Sequence, residues 1–595
     1  MANTSNRTQD VAVVGSPSTN TELTVDLLQE ATEERLVGAL TAFQAVQSGE
    51  NIISVGQIVG IELKNRWHED SVFRNLVKRT GEIPPITNRQ DTRIADLVVG
   101  ATFRQTANGY DPEVLGMVPP TGTRVYRVDQ PLLNNLLDIY RSEIVYLGQA
   151  YANDILYPMW FKHFGSGEGG AGEAYHLGVF GKTGSGKSGL AKMMLCAYAR
   201  HPNMGILVID PQGEFSLELS GRRVGQQNLA VNEIIGGQGR DIRVFHISDI
   251  QLDDWTTFEE MLQSLRFLEQ LGIPTRSADN SRKAAEIIRN GLEGAHRLDN
   301  LGTEQILKEA LNLVNDQNNA TYIYSQQRAR ELQQRVQRLL SDSTRLNQIL
   351  RQSWQPICEL FTAGGNRRRL FSYGSQENPG IIDMLLGTNT GNQSRPVIVV
   401  DISRQGNQRF WSEELQRRIL AKLLNILISQ ATSSLSTGQS ANVLVLLDEA
   451  HRHAPSGRLD EDSESERLRS LLRRAVRETR KYGIGWFFIS QTLGGLDNDI
   501  LQQLRILAFG FGLAMGSEFD KLRDFVGGDK RALELYQSFR DPQSFPRRDL
   551  KEFPFMAVGP VSPLAFSGKP IFFTAFTDPQ QFLSRNNLRV TVGSQ

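Results

Sequence analysis

The chain has 595 residues, which exceeds what one hydrophobic core accommodates, so about two to four domains are expected. Lys+Arg 65 against Asp+Glu 66 gives a formal net charge of -1, which excludes a globally basic protein that coats nucleic acid; any DNA contact must come from a local basic surface. The two cysteines, Cys196 and Cys358, exclude a disulfide framework and a cysteine zinc site. The polar N-terminus and the lack of an apolar run of ~20 residues predict a cytoplasmic protein without a membrane segment.

The first part of the chain, up to about residue 150, has the β-branched enrichment and Gly/Pro punctuation of a small β-barrel. The spacing of Leu and Ala predicts a helix over Leu27–Gln47, and a second helix over Pro131–Tyr151 is expected to lead into the next domain. The predicted strands of the barrel are 10–15, 52–63, 93–103 and 124–128.

A phosphate-binding loop is predicted at residues 181–188, which match G-x-x-x-x-G-K-[ST] at every fixed position. A short apolar run precedes the loop and a helix-forming segment follows it, as this motif requires. Lys187 is expected to reach the β- and γ-phosphates of ATP, and Ser188 to bind Mg²⁺. The residues expected to bind the nucleotide are Gly181, Lys182, Thr183, Gly184, Ser185, Gly186, Lys187, Ser188 and Gly189.

Further apolar runs predict a buried, mostly parallel sheet around this loop. Between about 253 and 342 the apolar residues recur three and four apart, which predicts a helical insertion in the sheet domain. The predicted strands are 205–210, 242–246, 396–401, 442–447, 485–490, 504–512 and 570–575.

Acidic and amide side chains follow two of these strands. We expect Asp448 to be linked to Mg²⁺ and Glu449 to polarise the water that attacks the γ-phosphate. The alternative for this acidic pair is a surface turn, which the five aliphatic residues before it disfavour. Gln491 suits a sensor of the γ-phosphate or of the attacking water; the alternative is a simple turn residue.

An arginine-rich helix is predicted from Arg467 to Tyr482. Its cations would repel one another unless an anion lies nearby, and the ATP of a neighbouring subunit would supply that anion, with one arginine acting as a transition-state finger worth ~10³ or more in rate. Salt bridges to the acidic loop before the helix are the alternative. The arginines along one side of the helix are Arg469, Arg473, Arg477 and Arg480. Arg480 is the preferred finger, followed by Arg477 and Arg474.

Three weaker patterns are interpreted as ordinary structure. His451 and His453 lack further ligands at metal spacing, so no zinc site is assigned. The glycine-rich run 165–172 does not lie between a strand and a helix and is interpreted as a surface loop rather than a second phosphate loop. The basic run 364–370 is interpreted as a solvated turn, with phosphate contact as the alternative.

Taken together, five motifs resemble the HerA family of the HerA/FtsK superfamily of prokaryotic ATPases; they lie at 181–188, 210–214, 447–451, 478–483 and 489–491. The resemblance spans most of residues 176–580, and the preceding part is loosely similar to the HAS-barrel of that family. The sequence departs from the family pattern at three places. Gln212 stands where the family usually has His, Thr479 stands where it usually has Gly, and an acidic insertion lies between Glu449 and Arg480.

This resemblance implies a RecA-like P-loop (ASCE) ATPase core that forms a homohexamer, pulls double-stranded DNA through a central channel and works with a partner nuclease. The alternative is a ring-shaped scaffold that controls a sirtuin-like or nuclease effector in antiviral defence; a secretion or conjugation ATPase is disfavoured by the missing membrane segment. The expected domains are the barrel with its connecting helix (1–150), the first part of the core (151–250), the helical insertion (251–345), the second part of the core (346–560) and a C-terminal strand and tail (561–595).

Overall fold

A computed structural model describes residues 9–81, 90–222, 229–274, 278–364, 367–372, 378–388, 394–403, 413–460, 463–547, 550–565 and 569–588. Within these residues the chain forms an N-terminal antiparallel barrel, an α/β core and a helical segment inserted into the core. This architecture is the predicted fold class. No helix in the described ranges is both long and apolar enough to cross a membrane.

The barrel closes because its first and last strands in the sheet order pair with each other. The order is β2-β1-β7-β3-β4-β5, β2 pairs with β5, and β6 extends β5 as a hairpin. Its strands are β1 (Asp10–Val14), β2 (Glu22–Leu27), β3 (Leu40–Gln47), β4 (Glu50–Lys64), β5 (Thr92–Thr106), β6 (Gly109–Glu113) and β7 (Arg124–Arg127).

The core is built on one 11-stranded sheet in the order β12-β15-β11-β16-β17-β10-β18-β19-β20-β8-β9. The strands from β12 to β18 in this order are parallel, and those from β19 onward are antiparallel. They are β8 (Ile144–Ala150), β9 (Leu156–Trp160), β10 (Leu177–Phe180), β11 (Gly205–Asp210), β12 (Ile242–His246), β15 (Val397–Asp401), β16 (Val443–Leu447), β17 (Ile484–Ser490), β18 (Ile506–Phe509), β19 (Phe553–Val558) and β20 (Ile571–Ala575); β13 (Ile250–Gln251) and β14 (Arg368–Arg369) form a separate parallel pair.

The helices cover both faces of this sheet and form the inserted segment between β12 and β15. They are α1 (Arg66–Glu69), α2 (Ser71–Thr80), α3 (Gln130–Leu136), α4 (Lys187–Ala199), α5 (Glu214–Leu219), α6 (Val231–Gly237), α7 (Trp255–Ser264), α8 (Phe267–Gln270), α9 (Ala278–Glu293), α10 (Glu304–Asn315), α11 (Gln317–Ile323), α12 (Gln326–Ser341), α13 (Ser343–Ile349), α14 (Gln355–Glu359), α15 (Ile381–Leu386), α16 (Glu413–Ser436), α17 (Glu464–Glu478), α18 (Asn498–Leu501), α19 (Gly516–Phe525), α20 (Lys530–Gln537) and α21 (Pro579–Arg585).

The central strands are buried on both faces, which explains their uninterrupted apolar sequences. In β11, Leu207 and Ile209 belong to the core that includes the inserted helices, whereas Ile206 and Val208 belong to the core on the opposite face. Successive side chains of a strand point to opposite faces, so a strand covered on both faces must be apolar at every position.

The barrel is fastened to the core by buried polar contacts as well as by packing. Gln57 in β4 donates its amide to the Phe572 carbonyl at 2.9 Å and accepts the Phe572 N–H at 2.9 Å. Arg531 in α20 pairs with Asp96 at 2.7 Å and with Glu62 at 3.2 Å. The core therefore holds the barrel in one orientation through several specific contacts.

Two predicted helices were wrong. Over Leu27–Gln47 the chain finishes β2, forms a short 3-10 turn and, after Gly38 with φ of 90°, enters β3, because pairing with β4 and β7 outweighs the local helical spacing. Over Pro131–Tyr151 the helix ends at Leu136, and the β-branched run from Ile144 pairs with β20 and β9 of the core sheet. The inserted helices continue past residue 345, to Glu359. The limits of the domains stay a prediction.

Candidate active site at the carboxyl edge of the core sheet

Four neighbouring parallel strands, β11, β16, β17 and β10, end at one edge of the sheet. Gln212 follows β11, Glu449 follows β16, Gln491 follows β17, and the phosphate loop follows β10. Open α/β sheets bind ligands at this carboxyl edge because loops and helix N-termini converge there. The sheet order therefore brings together residues that lie hundreds of positions apart in the sequence.

The phosphate loop has the backbone that its glycines permit. Gly184 and Gly186 have φ of 84° and 88°, and α4 begins at Lys187 directly behind them. Lys187 is buried; its Nζ donates to the Lys182 carbonyl at 3.0 Å, and burial lowers its pKa while the nearby Glu449 and Asp448 oppose that shift. The Ser185 hydroxyl is buried and has no hydrogen-bond partner among the described residues, which fits a loop that donates further hydrogen bonds to phosphate oxygens.

Two amides hold one oxygen of Glu449. Gln491 Nε2 donates to Glu449 Oε1 at 2.5 Å, and Gln212 Nε2 donates to the same oxygen at 2.9 Å. The other oxygen, Oε2, is buried without a hydrogen-bond partner among the described residues, although His451 Nδ1 lies 3.4 Å away. Glu449 has a φ of 47°, which is uncommon for a residue other than glycine and is typical of a constrained functional position.

Asp448 is buried beside Glu449 and below the phosphate loop. Burial, reinforced by the charge of Glu449, raises the pKa of Asp448 to about 7. Two buried carboxyl groups side by side suit a cation, and Mg²⁺ takes few protein ligands because it binds mainly water and phosphate oxygens. The described residues contain no cluster of three or more His, Cys, Asp or Glu side chains able to hold a metal ion. Asp448 and Ser188 are the residues that would hold Mg²⁺.

Arg480 lies near the amino ends of the parallel strands, whereas Lys187 lies near their carboxyl ends. Its carbonyl accepts the Ala174 N–H at 3.3 Å just before β10 begins, and β17 starts only a few residues after it. The seven residues of β17 span about 23 Å, which separates Arg480 from Gln491 and from the phosphate loop of its own chain by more than an arginine side chain reaches.

The arginines of the predicted stripe form ion pairs with acidic residues of the same chain. Arg469 pairs with Glu466, Arg473 with Asp497 at 2.5 Å, Arg477 with Asp499 at 3.1 Å, and the exposed Arg480 with Glu173 at 3.2 Å. One of these acids, Glu466, belongs to the acidic stretch named in the alternative interpretation, and in the structure it lies in the first turn of α17. Arg474 is exposed and makes no ion pair with any described residue.

Two contacts at the site were not predicted from the sequence. The side chain of Gln543, which is about fifty residues after Gln491, lies against Gly184, where a Cβ atom would collide with it. In the sequence Gln212 is a departure from the HerA-family pattern, and its contact with Glu449 follows from the strand order. The available signal for Gln212 was a polar residue two positions after the strand 205–210.

Residues 174–427 match the family model described as Helicase HerA, central domain. This range is less than half of the chain, and it is similar to the HerA central domain. The DNA double-strand break repair helicase HerA of Pyrococcus furiosus is 23% identical over 345 residues, covering 55% of this chain and 55% of that protein. The chain thus spans about half the length of this curated relative. The matched HerA range contains the phosphate loop and Gln212 and ends within α16, before Glu449 and Gln491.

Among solved structures, VirB4 of Thermoanaerobacter pseudethanolicus aligns with a TM-score of 0.36 and 14% identity, over 73% of this chain and 97% of that chain. The genome packaging NTPase B204 from Sulfolobus turreted icosahedral virus 2, in complex with ATP-gammaS, aligns with a TM-score of 0.27 and 8% identity, over 68% of this chain and 98% of that chain. The sheet order and the motifs of this chain are those of a P-loop ATPase core.

Proposed function

We propose that this protein hydrolyses ATP with Mg²⁺ and uses the energy to move double-stranded DNA. The observation that carries the ATPase proposal is the convergence of Lys187, Glu449 and Gln491 at one sheet edge, with Glu449 Oε1 hydrogen-bonded and Oε2 without a hydrogen-bond partner among the described residues. A carboxylate held in this way can accept a proton from a water molecule on Oε2. Phosphoryl transfer to water needs little more than positioning and charge stabilisation, which these residues supply.

Each residue of the site has a role in this proposal. The phosphate loop binds the β- and γ-phosphates through backbone N–H groups and Lys187. Mg²⁺, held by Ser188 and Asp448, would neutralise charge on the phosphate oxygens. Glu449 orients the attacking water and removes its proton, and Gln491 detects the γ-phosphate because its side chain already contacts both Glu449 and Thr183 of the phosphate loop.

The pocket is proposed to be completed by a second copy of the chain. Arg480 is exposed and lies at the sheet edge remote from its own Lys187, so it can act on a nucleotide only if that nucleotide belongs to a neighbour. A head-to-tail contact of this kind closes into a ring when its rotation permits, and we propose a homohexamer. Arg477 and Arg474 lie on the same helix and are the other candidates for the trans-acting finger.

DNA as the substrate is proposed from the HerA central domain and from the name of the curated relative, a DNA double-strand break repair helicase. Because the net charge of the chain is -1, DNA binding must depend on locally concentrated positive charge and should weaken steeply with salt. We further propose that the ring works in the cytoplasm with a partner nuclease or another effector enzyme, such as a sirtuin-like protein in antiviral defence.

The test is ATP hydrolysis with and without duplex DNA, at low and high salt, with Lys187→Ala as the inactive control and Lys530→Ala as a matched surface control. Lys530 is exposed on α20, and among the described residues it pairs only with its neighbour Glu534, at 3.6 Å. The proposal expects DNA to stimulate hydrolysis by the wild type and by Lys530→Ala. Hydrolysis that no duplex DNA stimulates, alone or with the partner, would favour a nucleotide-controlled scaffold instead of a motor.

A further inference from the structure

Gln212 is a polar side chain of the site that lies outside the phosphate-loop motif. It lies on the opposite side of Glu449 from Gln491, because β16 lies between β11 and β17 in the sheet. Both amides donate to Glu449 Oε1, at 2.9 Å from Gln212 and 2.5 Å from Gln491. The carboxylate is therefore held from two sides by groups that belong to two different strands.

The loop that carries Gln212 is itself rigidly placed. The buried carboxylate of Asp210 accepts three backbone N–H bonds, from Gln212 at 3.2 Å, Gly213 at 2.8 Å and Ser216 at 2.7 Å. The Ser216 hydroxyl continues this network to Asp401 at 2.7 Å, at the end of the adjacent strand β15. Gln212 is thus presented to Glu449 from a preorganised turn, and little entropy is lost when its amide makes the contact.

The two amides are not equivalent. Gln491 also accepts a hydrogen bond from Thr183 Oγ1 at 3.0 Å, so its position is coupled to the phosphate loop. No described residue other than Glu449 receives a hydrogen bond from the Gln212 side chain. When a bound γ-phosphate draws Gln491 towards itself, Gln212 is the contact that continues to hold Glu449 Oε1.

We propose that Gln212 is the positioning residue of the general base. Building on the proposed ATPase function, Gln212 fixes Glu449 Oε1 so that Oε2 faces the attacking water, while Gln491 is released to detect the γ-phosphate. A glutamate that lost this contact would rotate about its side-chain torsions and present Oε2 in the reactive direction for only a fraction of the time. Gln212 acts through Glu449 and has no contact with the reacting atoms.

The experiment measures kcat and KM for ATP hydrolysis, together with nucleotide affinity from a fluorescent ATP analogue, for Gln212→Leu and Gln212→His. Gln212→Leu keeps a similar side-chain volume and removes the donor, so we expect kcat to fall by about 10- to 100-fold, as for the loss of a hydrogen bond to a charged group, with KM and analogue affinity within about twofold of the wild type. Gln212→His retains an N–H donor and should recover most of the lost kcat. Gln348→Leu, an exposed glutamine of α13, serves as the matched control and should leave all three values unchanged.

Three results would overturn this inference. Gln212→Leu with wild-type kcat would show that Glu449 needs no second amide. Equal loss of kcat and of analogue affinity would show a structural role for Gln212, and failure of Gln212→His to exceed Gln212→Leu would show that the donor is irrelevant. A wild-type protein that binds the analogue but hydrolyses no ATP would refute the proposed ATPase function itself, which is a different outcome.

Discussion

Thr183 of the phosphate loop donates a hydrogen bond from its hydroxyl to Gln491 Oε1 at 3.0 Å. This bond joins the loop that would bind the phosphates to the amide that holds Glu449, so the position of the Glu449 carboxylate, the proposed general base, is linked to the position of the phosphate loop. The link crosses from β10 to β17, which are direct neighbours in the sheet.

We predict that Gln491→Leu lowers kcat for ATP hydrolysis by more than about tenfold while ATP binding is retained, because the variant loses both the contact with Glu449 and the contact with Thr183. Thr183→Val removes only the donor to Gln491 and should have a smaller effect in the same direction. Steady-state kinetics with parallel nucleotide-binding titrations provide the measurement. Equal activity of Gln491→Leu and the wild type would remove Gln491 from the mechanism.

Substitutions in the phosphate loop and at the proposed general base should affect ATP binding and ATP hydrolysis differently. Lys187→Ala should weaken ATP binding and reduce hydrolysis by at least about 100-fold, since the main cation of the loop is lost. Glu449→Gln should bind ATP normally and lose hydrolysis by about 10²- to 10⁴-fold, because only the base is removed. If Glu449→Gln also failed to bind ATP, the residue would be a structural part of the pocket instead of its base.

Arg480→Ala should lose about 10³-fold in rate if Arg480 is the finger of a neighbouring subunit. Mixing inactive Arg480→Ala with inactive Glu449→Gln should then restore part of the activity, because some interfaces combine an intact Arg480 with an intact Glu449. Arg477→Ala and Arg474→Ala, tested in the same mixtures, identify which arginine acts. Absence of recovery in every mixture, with ring assembly intact, would argue against an arginine acting in trans.

The stability of the core should depend on pH through His176. Its Nε2 donates to the Val476 carbonyl at 2.8 Å and its Nδ1 accepts the Trp486 N–H at 3.2 Å; burial lowers its pKa to about 4 from the usual 6.5. Between these two values the unfolded chain binds a proton that the folded chain does not, so the free energy of unfolding falls as the pH decreases from 6.5 to 4. The half-buried His201 and the buried His453 have pKa values lowered by desolvation to about 4 and about 3, and they contribute in the same direction.

Thermal or urea unfolding across this pH range, compared with His176→Gln, gives the measurement. Glutamine does not titrate here, so the variant should show a shallower pH dependence, although it is less stable at neutral pH because the two buried hydrogen bonds are altered. An unchanged slope in His176→Gln would show that His176 is not responsible.

The sequence predicted the residues of the site better than their surroundings. The phosphate loop was predictable from its motif. The strands just before Asp448 and Gln491 were predictable because each is an apolar run followed directly by a polar residue. Two contacts depend on the tertiary arrangement of the core, which spacing along the chain does not encode. They are the hydrogen bond of Gln212 with Glu449 and the close approach of Gln543 to Gly184.

Helix predictions failed where tertiary pairing decides the structure. The run from Ile144 lies within the predicted helix Pro131–Tyr151, yet in the structure it is a strand that pairs with β20 at the antiparallel end of the core sheet. The same limit applies to Arg480, whose distance from its own phosphate loop follows from the direction of β17 and not from its helical spacing.

The rate of ATP hydrolysis per subunit, measured as a function of protein concentration alongside the mass of the assembly, tests whether a neighbouring protomer completes the pocket. We predict a rate per subunit that is low for monomers and rises in parallel with ring formation, with the rise abolished in Arg480→Ala. A separated monomer that hydrolyses ATP as fast per subunit as the assembly would contradict a shared active site.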